Sequence, residues 1–176
     1  MKTILALAAC CITVLSGAEA DEASLNPHLE PLRPLLGKTW KGIFTNSKPD
    51  QPTVDISRWD RILNGQGVRL LHSINQGLYG GESIFIWDEE KQTAAYYYFT
   101  AAGFRTTGSL EGKDGKIVTH ETVIGGAGAI TEVRGSSEIR SDGRFHVKTE
   151  HLKNGQWTPG HEATYEGAPS AQVLFR

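Results

Sequence analysis

The 176-residue chain is poor in cysteine and carries no block of like charge. Its only cysteines are the adjacent Cys10 and Cys11, so the chain beyond them can form neither a disulfide nor a thiol-based active site. Its 18 Lys and Arg against 20 Asp and Glu give a formal charge of −2, with no basic cluster. This argues against a nucleic-acid-binding surface, which needs clustered basic residues.

The one sustained apolar run lies at the N-terminus and is too short to span a membrane. Lys2 precedes an apolar run over residues 3–15, and Ala18-Glu19-Ala20 is a small-x-small cleavage site. This is the pattern of a secretory signal peptide. We therefore expect residues 1–20 to be removed and the protein to be exported.

Residues 21–176 have the length of one domain and can bury a sizeable core. With a signal peptide ahead of it, this domain is expected in the periplasm or outside the cell. An alternative interpretation takes residues 7–10 as a lipoprotein signal in which Cys10 is lipidated, which leaves a shorter apolar run before the cut.

The sequence also lacks the motifs of common enzyme classes. It has no Gly-x-Ser-x-Gly elbow, no phosphate-binding loop and no His-Glu-x-x-His pair. Residues 125–128, Gly-Gly-Ala-Gly, break the dinucleotide-binding pattern and favour a flexible loop between two strands. No catalytic residue or metal ligand is predicted from a motif.

Beyond residue 37 the chain reads as a succession of strands. We predict them at 39–45, 54–62, 67–76, 82–88, 94–101, 104–110, 116–124, 130–139, 144–152 and 156–166, with a final short one at 172–175. No helix-length segment separates neighbours, so parallel crossovers are excluded. Four pairs at the predicted turns are typical of tight antiparallel hairpins: Asn64-Gly65, Asp114-Gly115, Asp142-Gly143 and Asn154-Gly155.

An antiparallel meander of about ten strands would expose long edges unless it closed on itself. We therefore predict an all-β, up-and-down barrel. Ahead of it, leucines at near-helical spacing are interrupted by Pro31 and Pro34, which predicts a short helical turn laid over one end of the barrel.

The first strand carries a family resemblance. Leu35-Leu36-Gly37 followed by Trp40-Lys41-Gly42 resembles the opening of calycin-type barrels, the lipocalins and the nitrobindin-like haem proteins, and bacterial secreted domains of unknown function with that architecture. Two residues separate Gly37 from Trp40, where those families usually have one. The resemblance implies a calycin-like barrel, and its nitrobindin branch implies haem held by an inward histidine, with no motif to say which.

Alternation along the strands places four histidines on apolar faces that we expect to line the lumen. The same argument, with the aromatic segment between Tyr79 and Phe104, gives the predicted ligand-binding set: Arg58, His72, Tyr97, Phe99, His120, His151, Trp157, His161 and Tyr165. Asp60 shares the face of Arg58 and is a candidate acid/base partner for His72. Inward polar groups of this kind need partners, water or a ligand.

Three functions remain open from the sequence. The favoured hypothesis is an exported barrel that binds a small, largely apolar ligand with a polar end. The second is a small isomerase or hydrolase that uses a buried histidine with Asp or Glu. The third is an interaction module, with homodimerisation through exposed aromatic residues.

Overall fold

The computed structural model describes residues 24–176. The predicted signal peptide and Cys10 lie outside the described residues. Within the described range no helix is both long and apolar enough to cross a membrane.

Ten antiparallel strands form a closed barrel, as the sequence predicts. Each strand pairs with its neighbours in the chain, and β1 pairs with β10 to close the wall, with Gly42 opposite Tyr165. The strands are β1 Thr39–Phe44, β2 Val54–Ile62, β3 Gly67–Ile74, β4 Tyr79–Asp88, β5 Thr93–Thr100, β6 Arg105–Lys113, β7 Lys116–Ile124, β8 Ile130–Ile139, β9 Phe145–Lys153 and β10 Gln156–Gly167.

The turns follow from residue types that accept positive φ. Asp114 and Gly115 have φ of 52° and 74°, and Asn154 and Gly155 have φ of 52° and 77°, which type I′ hairpins require at both positions. These turns join β6 to β7 and β9 to β10. Positive φ at both positions matches the right-handed twist of the paired strands, so the turns favour the observed register.

One end of the barrel is closed by a 3₁₀ helix over Pro27–Leu35. A 3₁₀ helix has three residues per turn, so leucines at every third position fall on one line. Leu29, Leu32 and Leu35 do so and are fully buried. Asn26 caps the helix by accepting a hydrogen bond from the His28 backbone N–H at 3.0 Å.

Aromatic side chains form the floor of the lumen above this plug. Trp59 packs on Phe85 at a ring separation of 5.7 Å and meets Phe145 edge-on at 6.1 Å. Each is at most 6% exposed. The apolar core therefore fills the plugged end of the barrel.

The predicted final strand is wrong. Residues 168–176 follow β10 as irregular chain that crosses the outside of the barrel. The Leu174 backbone N–H donates to the Ser73 hydroxyl at 3.1 Å, in place of a ladder of backbone bonds. The barrel is already closed by β1 and β10, so neither edge is left for an eleventh strand.

Candidate functional site

The lumen holds a cavity of about 650 Å³, within the size range of small-molecule sites. Its floor is the aromatic cluster above the plug, and its acids and imidazoles lie on the halves of the strands farther from the plug. Among residues 24–176, no Lys or Arg contributes to its lining. The ionisable groups of the lining are acids, imidazoles and phenols.

Five of these residues form one hydrogen-bonded row, which we call the relay cluster: Asp55, His72, Tyr79, Tyr98 and Tyr165. The carboxylate of Asp55 receives the Tyr165 hydroxyl at 2.9 Å and contacts His72 Nδ1 at 3.0 Å. His72 Nε2 lies 2.7 Å from the Tyr98 hydroxyl, which lies 3.1 Å from that of Tyr79. Each polar side chain is therefore satisfied by the next.

One bond in this row has a fixed direction, because the Tyr98 hydroxyl donates to that of Tyr79. A hydroxyl carries one proton, so Tyr98 accepts from the N–H at His72 Nε2. The Tyr98 hydroxyl therefore links the imidazole to the second phenol.

The phenols of this row are kept protonated by their surroundings. Burial, followed by the charge of Tyr79, raises the pKa of Tyr98. Burial, followed by the charge of Asp55, raises the pKa of Tyr165 well above its usual value. Both hydroxyls consequently remain hydrogen-bond donors at neutral pH.

The remaining acid and imidazoles of the lining are Glu121, His151 and His161, which we call the open cluster. Glu121 is 8% exposed and accepts a hydrogen bond from the Thr106 hydroxyl at 2.6 Å. Burial raises its pKa to about 7, although hydrogen bonds from Thr106 and Thr119 oppose that shift. No cation within the described chain compensates this carboxyl group.

The two imidazoles of the open cluster are held neutral. Burial, followed by repulsion from His151, lowers the pKa of His161 to about 4, and burial also lowers the pKa of His151. The His161 ring stacks on Phe44 at 5.0 Å, and its Nδ1 lies 3.2 Å from the Thr149 hydroxyl. Both rings present neutral nitrogens to the cavity.

A bulge in β10 places His161. The register with β9 shifts between Pro159 and Glu162, so that the Thr149 hydroxyl accepts the His161 backbone N–H at 2.9 Å. A Cβ on Gly160 would clash with Thr149 and lie 2.8 Å from His151 Nε2. Glycine is therefore needed where β10 approaches the two histidines.

Four predicted site residues line the cavity: His72, His151, His161 and Tyr165. Their role in binding stays a prediction. The other five face outward, for reasons that differ between strands.

Tyr97 and Phe99 were expected in the lumen, and this orientation is wrong. In β5 the lumen side belongs to Tyr96 and Tyr98, while Phe99 is 50% exposed. Both faces of β5 are aromatic, so alternation alone could not choose between them. Pairing with β4 decides it, because Tyr96 stands opposite the buried Phe85.

His120 also faces outward, with its side chain 58% exposed and 3.9 Å from the Glu132 carboxylate. Strand β7 has an apolar residue near each end on both faces, so the pattern was ambiguous. The lumen side is the one that carries Ile117 and Glu121. His120 and Glu121 are consecutive, so placing His120 in the lumen puts Glu121 on the outer face and leaves it out of the predicted site.

Trp157 lies outside because the bulge at Gly160 reverses the alternation of β10. Beyond the bulge, Trp157 pairs with Leu152, and the Arg134 guanidinium covers its ring at 4.3 Å. Counting every second residue back from Tyr165 places Trp157 inward, because such counting does not allow for the extra residue of the bulge. The glycine at position 160 was the one sequence signal for it.

Arg58 and Asp60 share the outer face of β2, where Arg58 Nε lies 2.8 Å from the Asp60 carboxylate. The expected pairing of Asp60 with His72 is therefore wrong, and Asp55 takes that place. The lumen side of β2 carries Asp55, Ser57 and Trp59 and is the more polar side. The rule that apolar residues face inward selected the wrong face.

Comparison with known proteins supports the fold. The chain resembles the crystal structure of Rv2717c from M. tuberculosis with a TM-score of 0.59 and 14% identity, over 82% of this chain and 99% of that one. No protein-family model and no curated protein matches it. Together with the closed ten-strand wall, this likeness supports an antiparallel β-barrel fold.

Proposed function

We propose that the protein is an exported barrel that binds a small, largely apolar molecule with a polar end in its lumen. The observation that carries the proposal is the layout of the cavity of about 650 Å³, with an aromatic floor and the acids and imidazoles toward the mouth. An apolar body would lie on Trp59 and Phe85 while its polar end meets the open cluster. Export rests on the N-terminal segment alone, and the calycin-like assignment rests on the first strand and the barrel.

Unpaired polar atoms in the lining support a ligand over a purely structural lumen. The Ser57 hydroxyl and the Trp59 ring N–H are buried and have no hydrogen-bond partner among the described residues. Both residues line the cavity. Leaving such groups unpaired is costly, so a ligand or water that pairs with them is favoured.

The test is a titration of the mature protein with the neutral apolar fluorophore N-phenyl-1-naphthylamine. We expect saturable, one-to-one enhancement of its fluorescence, with native mass spectrometry reporting the stoichiometry. Absence of saturable binding would overturn the proposal.

Haem is a ligand that the nitrobindin resemblance implies. The residues fit it in one respect: both ring nitrogens of His72 are engaged, but His151 and His161 present neutral nitrogens to the cavity. Bound haem would supply an iron centre for small gaseous ligands. A Soret band after haem addition that is lost in His161→Gln or His151→Gln, but kept in His72→Gln, would assign this role.

A second candidate function is a small isomerase or hydrolase built on the relay cluster. Asp55 orients His72, so a substrate that displaces the Tyr98 hydroxyl from Nε2 would meet an imidazole held by a carboxylate. Turnover of p-nitrophenyl acetate that is lost in His72→Gln, with the fold retained by circular dichroism, would support hydrolysis. Equal turnover in both proteins would exclude His72 as the base for this ester.

Self-association is the third prediction. Of the aromatic residues proposed for it, Tyr79, Phe85, Tyr96, Tyr98 and Phe104 line the cavity. Phe99 is an exposed ring on the outer wall, and Tyr97 lies on the same face of β5. A monomer in sedimentation velocity would remove the homodimer hypothesis.

A further inference from the structure

The charged side chains that line the lumen restrict the charge that the polar end of a ligand can carry. The cavity lining contains two carboxyl side chains, Asp55 and Glu121, and no Lys or Arg among the described residues. Asp55 is fully engaged, because one oxygen meets His72 and the other accepts from Tyr165. Glu121 is the acid whose charge has no counterpart among residues 24–176.

The neighbours of Glu121 are neutral. Thr106 donates to it at 2.6 Å, and Thr106 itself is 3% exposed. The charge of Glu121 also raises the pKa of Tyr96, after burial, so the carboxyl group lies near that aromatic ring of the lumen. Neutral donors orient a carboxylate but do not neutralise it, so a cationic ligand group would gain most there.

One aromatic ring of the lumen acts in the same direction. Tyr96 lines the cavity near Glu121, and aromatic rings attract ammonium groups over their faces. Within the described chain no protein cation stacks on Tyr96. A ligand cation at Glu121 would therefore lie near this ring as well as near the carboxylate.

A ligand carboxylate meets no fixed cation in the lining. The unpaired donors of the lining, Trp59 N–H and the Ser57 hydroxyl, are neutral and lie beside the aromatic floor, and burial lowers the pKa of His151 and His161. An anion would lose its hydration without gaining a permanent positive charge, and near Glu121 it would meet a second carboxyl group. Charge complementarity thus favours amines over fatty-acid-like ligands.

We propose that the ligand is an apolar amine whose protonated nitrogen pairs with the Glu121 carboxylate. This inference rests on the proposed function and adds the chemical class of the ligand. The pair would place the cation near the mouth and the apolar body toward Trp59 and Phe85.

The test compares three ligands with the same alkyl chain, dodecylamine, dodecanol and dodecanoate, as competitors of N-phenyl-1-naphthylamine. It is run at about pH 8, where Glu121 is ionised and the amine keeps its proton. We expect dodecylamine to displace the fluorophore at a concentration at least about tenfold lower than dodecanoate, the effect of one charge-assisted hydrogen bond.

The variant Glu121→Gln keeps the shape of the side chain and removes its charge. It should lower the affinity for dodecylamine at least about tenfold and leave the affinity for dodecanol within about twofold. Glu111→Gln, an exposed position on β6, is the matched control and should change neither affinity. The ranking of the three ligands on the unmodified protein needs no variant, so it holds even if Glu121→Gln folds poorly.

Binding of dodecanoate as tight as that of dodecylamine would overturn the amine class and leave the binding function intact. So would an unchanged dodecylamine affinity in a folded Glu121→Gln protein. If neither the fluorophore nor any of the three compounds binds, the proposed function fails and this inference fails with it.

Discussion

The two polar regions of the lumen differ in how completely they satisfy themselves. In the relay cluster, Asp55 and His72 use both oxygens and both ring nitrogens on protein partners. In the open cluster, Glu121 meets only hydroxyl groups, and the neutral imidazoles of His151 and His161 face the cavity. Interconnected groups build the wall, whereas partly satisfied groups are available to a ligand.

Substitutions in the two clusters should affect different properties of the protein. Removing a member of the relay cluster leaves buried partners unpaired, so it should act on stability. Removing a member of the open cluster removes the cost of burying an ionisable group, so it should change ligand binding and the pH dependence of the free energy of unfolding. Substitutions in the two clusters can therefore be told apart by measurement.

The largest effect is expected for Asp55→Ala. It leaves the His72 ring and the Tyr165 hydroxyl without their acceptor in a buried site, and should lower the free energy of unfolding by about 4 kcal/mol. Asp60→Ala is the matched control on the outer face of the same strand and should cost less than about 1 kcal/mol. Urea unfolding measures both, and equal losses would contradict the division between the two faces.

The next effect is a pH dependence of folding stability, to which two groups of the open cluster contribute with opposite sign. The folded-state pKa of His161, about 4, lies below its usual 6.5, so stability falls as pH drops from 6.5 to 4. The folded-state pKa of Glu121, about 7, lies above its usual 4.5, so stability falls as pH rises from 4.5 to 7. The two slopes oppose each other between pH 4.5 and 6.5.

Single variants should reveal each slope. In Glu121→Gln the free energy of unfolding should rise by about 3 kcal/mol from pH 4 to 6.5, and in His161→Gln it should fall by about 3 kcal/mol from pH 4.5 to 7. Urea unfolding across this pH range gives both curves. Parallel curves for the two variants would show that these side chains are not buried as described.

A smaller effect is expected at the bulge. Gly160→Ala places a Cβ against Thr149 and 2.8 Å from His151 Nε2, and should cost about 2 kcal/mol of unfolding free energy. Gly126→Ala, where a Cβ meets nothing within 4 Å, is the control and should leave stability within about 0.5 kcal/mol. Thermal unfolding separates them, and a silent Gly160→Ala would argue against the bulge.

The smallest effect is expected for the outward residues that the sequence placed in the lumen. His120→Gln and Trp157→Ala should leave the affinity for N-phenyl-1-naphthylamine within about twofold, because neither side chain lines the cavity. His161→Gln is the inward comparison. A tenfold loss in Trp157→Ala would mean that binding occurs on the outer wall.

The sequence predicted the barrel well because strand length, turn residues and closure depend on local patterns. All ten strands and the N-terminal plug are found, and Asp114-Gly115 forms its expected turn. The face of each strand was less predictable, because β5 and β7 carry apolar residues on both sides. In β10 an extra residue at Gly160 shifts the alternation, which no period-two pattern contains.

Asp55 was missed for a different reason. Its side of β2 is polar because it joins a hydrogen-bonded row of residues from four other positions along the chain, including Tyr165, 110 residues away. The bond from Tyr165 to Asp55 exists only after closure of β1 onto β10. Long-range polar pairing, rather than hydrophobicity, therefore decides this face.

The most direct test of a binding lumen is to fill it. Val133 lines the cavity on β8, and Val118 is absent from the lining on neighbouring β7, so Val133→Trp and Val118→Trp place the same ring in and beside the lumen. We expect Val133→Trp to lower the affinity for N-phenyl-1-naphthylamine at least about tenfold and Val118→Trp to leave it unchanged. Equal binding by both folded variants would contradict it.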